Sequence, residues 1–88
     1  MPRFYFDLHN DVDAIDGEGK ELSGIDAAIE NALGEAREMI AASVETGRID
    51  LNHFIQVRDE SGKIVHRIRF GEAVTFVPQT GNGQDSPS

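Results

Sequence analysis

Three features of the 88-residue sequence predict an α+β fold of order β-α-β-β, with one amphipathic helix packed on one face of a small, mainly antiparallel three- to four-stranded sheet. Apolar residues recur at helical spacing from Ile25 to Val44. Arg3–His9 alternates strictly between apolar and polar residues. Two further alternating runs flank Asp59-Glu60-Ser61-Gly62, a sequence suited to a hairpin connection.

In chain order, Arg3–His9 is a half-buried strand, with Phe4, Phe6 and Leu8 on one face and Arg3, Tyr5, Asp7 and His9 on the other. The acidic stretch Asn10–Leu22 contains Asp16-Gly17, which suits a tight turn, so Val12–Ile15 and Lys20–Leu22 are expected to form a short ribbon. Asp11, Asp13, Asp16 and Glu18 do not match a calcium loop. Counting from Asp11, position 5 is Ile15 and position 6 is Asp16, where the pattern requires an oxygen ligand and a glycine.

The helix is expected over Ile25–Thr46, with Ser23 as N-cap, Asp26 in its first turn and Gly47 as a left-handed C-cap. Its buried stripe comprises Ile25, Ala28, Ile29, Ala32, Leu33, Ala36, Ile40 and Val44, and Leu33 lies at the centre. Gly34 lies beside the stripe. Ile49 and Leu51 are expected to cover the lower end of the core. His53–Arg58 directs Ile55 and Val57 inward, and Phe54, Gln56 and Arg58 outward. On the return strand, Ile64, His66, Ile68 and Phe70 share the core face, and Val65, Arg67 and Arg69 face out. Gly71 is expected to bend this strand, which continues through Ala73–Val77. Pairing of the first strand with the last would make Ile64–Phe70 central. The ordered domain is expected at 1–77, followed by a disordered tail, 78–88, that lacks apolar residues.

Composition limits function. There is no cysteine, which excludes disulfide staples and thiolate metal sites. No segment is apolar enough to cross a bilayer, so a soluble cytoplasmic protein is expected. A formal net charge of −8 disfavours nucleic acid and anionic membrane as partners. His9, His53 and His66 show no metal-ligand spacing, and the sequence contains neither a nucleophile elbow nor a glycine-rich phosphate loop. No enzyme activity, cofactor or metal is expected.

The charge layout is more informative. The outer sheet face collects Arg3, Arg58, Arg67 and Arg69, half of the eight cations, with Tyr5 and Phe54 among them. This is the candidate binding face. Its plainer reading is ion pairing with Asp7 and arginine stems lying over the sheet. The expected function is a protein-interaction module that forms a homodimer, through an exposed strand edge in preference to face stacking. The alternative is a nucleic-acid-associated regulator using the arginine face.

The segments Pro2–His9, Asp16–Leu22, Val57–Lys63 and Arg67–Phe70, together with Ala27-Ala28 early in the helix, resemble a family of small alphaproteobacterial proteins known only as a domain of unknown function. That resemblance covers roughly residues 2–77 and implies no activity, cofactor or catalytic residue. The helix segment Ala28–Ala36 also looks like that of antitoxin domains with one helix on a small sheet, a likeness of fold from which function does not follow.

Overall fold

The computed structural model describes residues 1–79 and has the predicted α+β architecture. Strands β1 (Arg3–His9), β2 (Lys20–Glu21), β3 (Phe54–Arg58) and β4 (Ile64–Arg69) form one open sheet of order β2-β1-β3-β4, and every neighbouring pair is antiparallel. The single α-helix among the described residues, α1 (Ile25–Glu45), covers one face. The expected tail lies, from residue 80 onward, outside the described residues.

β1 pairs with β3, from Tyr5 opposite Arg58 to His9 opposite Phe54, so β4 is an edge strand and not the central one. Burial accounts for this order. Ile55 and Val57 on β3 are completely enclosed, whereas β4 carries exposed Ile64, Arg67 and Arg69. Charged residues are suited to an edge, where they also discourage further strand pairing.

The expected ribbon within residues 12–22 is replaced by two separate pairings with β1. Arg3 lies opposite Glu21 at one end, and Leu8 forms a two-bond bridge with Ala14 at the other. The chain thus doubles back along the whole free edge of β1. Its positive-φ residue is Gly19, not Gly17.

Gly24, in extended conformation, replaces Ser23 as the helix N-cap and provides no side-chain cap, while Gly47 takes the expected left-handed conformation beyond the C-cap Thr46. The helix meets the sheet through a ridge of small residues one turn apart: Ala28, Ala32 and Ala36 are wholly buried, and Ile40 continues the line. Small side chains let the helix axis approach the sheet, so the enclosed bulk comes from Phe4, Phe6, Ile55, Val57, Ile68 and Phe70. Leu33 and Ile29 flank the ridge half-buried, and Ile25 and Val44 at the ends are exposed. The centre of the stripe is therefore Ala32, not Leu33.

The hairpin turn matches expectation. Asp59 Oδ1 accepts from the Ser61 and Lys63 N–H groups, and Gly62 has φ of 88°. β4 ends before Gly71 in a 3-10 turn, Phe70–Glu72, and Ala73–Val77 does not continue the strand. Glu72 turns back and its Oε1 accepts from the Arg69 N–H at 2.8 Å, which keeps the carboxylate out of the core. Ile49 packs against the core, while Leu51 remains 39% exposed and its carbonyl accepts from Gly71 N–H.

Two substitutions on α1 test this packing by urea denaturation. Ala32→Leu forces a branched side chain between helix and sheet and should destabilise by about 1–3 kcal/mol. Gly34 has open space where a Cβ would stand, so Gly34→Ala should stabilise by about 0.5–1 kcal/mol.

Candidate functional site

The outer face of the sheet is built on one buried carboxylate. Asp7 alternates with Phe6 and Leu8, so it points away from the helix, yet it is only 1% exposed. The Arg58 guanidinium holds it in a two-pronged pair, Nε donating to Oδ2 at 2.6 Å and Nη2 to Oδ1 at 3.0 Å. The Asp16 N–H donates to Oδ1 at 2.9 Å. A bidentate guanidinium–carboxylate pair is among the stronger charge-assisted contacts, and here it closes over the sheet under the 10–19 loop.

Asp16 is the second half of the same construction. Between the Phe4–Lys20 pairing and the Leu8–Ala14 bridge, the edge of β1 has no strand partner, and there Asp16 Oδ2 accepts from the Phe6 N–H. Its other oxygen accepts from the Glu18 and Gly19 N–H groups, and its carbonyl accepts from Arg58 Nη2. One side chain thus substitutes for a missing stretch of strand. The loop can close this tightly only because residue 19 is glycine. With φ of 71°, a Cβ there would stand 2.8 Å from the Phe4 carbonyl oxygen.

Burial pushes the Asp7 carboxyl up, but the Arg58 hydrogen bonds and charge, with the Asp16 N–H and the Gln56 side chain, outweigh it and hold the group below the ordinary carboxylate range. Burial also raises Asp16, and the N–H groups of Gly19, Glu18 and Phe6 more than reverse that. Arg58 is raised, chiefly by its hydrogen bonds to Asp7.

The structure brings the six residues of the candidate face onto one surface but gives them different tasks. Arg58 is spent on Asp7 and lies over the Tyr5 ring at 5.0 Å. Arg3 is spent on Glu21 and on the Glu18 carbonyl. Arg67 covers the Phe54 ring at 4.8 Å, and His9 stacks on the same ring at 4.7 Å. Arg67 and Arg69 remain exposed, and neither makes an ion pair with a carboxylate among the described residues. The face is therefore a polar, aromatic surface with two free cations along β4.

At one end of the sheet, His9 Nδ1 lies 3.1 Å from Asp13, and His53 Nε2 lies 3.2 Å from Asp50 and 3.5 Å from Asp11. Among the described residues no three histidine, aspartate or glutamate side chains come together in a way that could hold a metal ion. His66 sits half-buried on the core face opposite Val57.

Asp16 is the residue whose role the sequence reading missed, having taken it as half of a turn. The available signal was Asp7, an acid inside an aromatic strand, which requires donors wherever it is buried.

The chain thus defines a single helix on an open four-stranded antiparallel sheet whose far face is organised by an internal ion pair. It belongs to the domain of unknown function DUF6894, whose family model matches residues 3–71. The comparisons with curated proteins and with solved structures returned no match.

Two measurements test the ion pair. Both aspartates titrate lower in the folded than in the unfolded chain, so their stabilisation is complete above the unfolded value of about pH 4 and is lost as pH falls through the folded values. The melting temperature should hold level down to about pH 5 and drop below about pH 4. Asp7→Asn leaves Arg58 without its counter-charge and should cost about 2–4 kcal/mol at pH 7, discounted because the arginine reaches solvent, while flattening the acid limb. Gly19→Ala should destabilise by at least about 1 kcal/mol through strain and clash.

Proposed function

We propose that this protein is a small, acidic, non-catalytic interaction module of the cytoplasm that self-associates through the outer face of its sheet. One observation carries the reading: the charges of that face are segregated across the strands. The β4 margin presents Arg67 and Arg69 without a carboxylate partner among the described residues, while at the opposite margin Glu21 offsets Arg3 and Asp13 lies beside His9. Half-buried Tyr5 and Phe54 lie on the same face. A two-fold axis running parallel to the strands would lay the basic margin of one copy over the charge-balanced margin of the other, within reach of Glu21 and Asp13, with the aromatic residues between. This arrangement relieves the repulsion that stacking two uniformly basic faces would create.

Pairing through the β4 edge has less in its favour. Glu72 occupies the Arg69 N–H, and a register irregularity at Val57/Arg58 disturbs the other end of the strand. Antiparallel β4–β4 contact would also bring arginines opposite one another.

A cytoplasmic location accords with a cysteine-free chain in which no described helix is long and apolar enough to cross a membrane. The alternative, a nucleic-acid-associated or antitoxin-like regulator, loses support because Arg3 and Arg58 are committed to internal partners and the net charge is −8.

Light scattering after gel filtration at micromolar concentration should give twice the chain mass. Arg67→Glu combined with Arg69→Glu should shift the species to monomer, because the β4 margin then becomes acidic and would meet Glu21 and Asp13 of the other copy. A wild-type protein that is strictly monomeric overturns the reading. Steeply salt-dependent oligonucleotide binding would favour the alternative.

A further inference from the structure

On the opposite side of the sheet, the helix leaves Leu8 of the apolar face only half-covered. α1 lies against β3, β4 and the 3-10 turn, which leaves the β1 side of that face to a groove. Two hollows of about 330 and 290 Å³ run along it and share Leu8, Lys20 and Glu35, so they form one continuous depression. Half-buried Leu8 and Met39 line it above the enclosed Phe6 and Ile55, and Ile15, 65% exposed, stands at the rim.

The rim is acidic. Lys20 is the one cation lining the groove, and it is already satisfied: its Nζ donates to Asn31 Oδ1 at 3.0 Å and lies 3.8 Å from Glu35. Glu18 and Glu38, on opposite banks, have no cationic partner among the described residues. A fatty acid or other anionic amphiphile would meet net repulsion here. A chain that presents apolar side chains flanked by cations would match both floor and rim.

We propose that this groove is a docking site for a basic amphipathic peptide segment of another protein. Two apolar side chains of the segment fill the two hollows, and lysine or arginine residues on either side meet Glu18 and Glu38. The groove lies on the helix side of the sheet and the self-association face on the other, so either proposal can fail without the other.

The test uses a fluorescent twelve-residue helical peptide with leucines on one face and lysines on the other, titrated into the full chain at about 0.15 M salt, where long-range attraction is screened. Chemical-shift changes in 15N-labelled protein should concentrate at Phe6, Leu8, Ile15, Lys20 and Met39. Glu18→Lys with Glu38→Lys should weaken binding by about tenfold or more, and the remote pair Glu45→Lys with Glu60→Lys, of equal charge change, by less than about threefold. Replacing the leucines by serine should abolish binding. Equal weakening by the two charge reversals, binding that survives loss of the leucines, or shifts scattered over the surface would each overturn the proposal. All four glutamates are exposed, so the variants should retain the fold, and their melting temperatures verify this.

Discussion

The burial of Asp7 constrains the rest of the outer surface. A carboxylate 1% exposed on the face turned away from the helix must find donors, because an unpaired buried charge would cost several kcal/mol. Arg58 supplies two and the Asp16 N–H a third. Meeting that demand fixes the position of the 10–19 loop, and the loop in turn seals the edge of β1 through Asp16 and the Phe6 N–H. One ion pair therefore determines which arginine is unavailable to partners, where the acidic loop lies and why one sheet edge is closed.

The inner face follows from a different constraint. An alanine ridge allows the helix to sit close to β3 and β4, where Ile55, Val57 and Ile68 fill the space beneath it. Close approach over one half of the sheet leaves the other half partly roofed, and the α1–β1 groove results. Both surfaces offered to partners are by-products of how the core and the ion pair are satisfied. On the outer face, internal pairing consumes Arg3 and Arg58 and leaves Arg67 and Arg69 along one margin. The uneven charge distribution across the sheet arises in that way.

Periodicity alone determined the element types: the alternation of Arg3–His9, the 3.6-residue spacing of the helix, and the Asp59–Gly62 turn between two strands. These are local properties, set by side-chain direction along one element, and they give the inward residues Phe4, Phe6, Ile55, Val57 and Ile68. The outer-face membership of Arg3, Tyr5, Phe54, Arg58, Arg67 and Arg69 was legible for the same reason. Strand order was not, because it depends on which strand buries more area and which edge the acidic loop occupies. Nor could sequence show that Ala32 rather than Leu33 is the centre of the stripe, since that depends on how close helix and sheet approach. The roles of Asp7 and Asp16 required the tertiary structure above all. Whether a carboxylate is solvated or buried is decided by residues distant in the chain, here Arg58, 51 positions from Asp7.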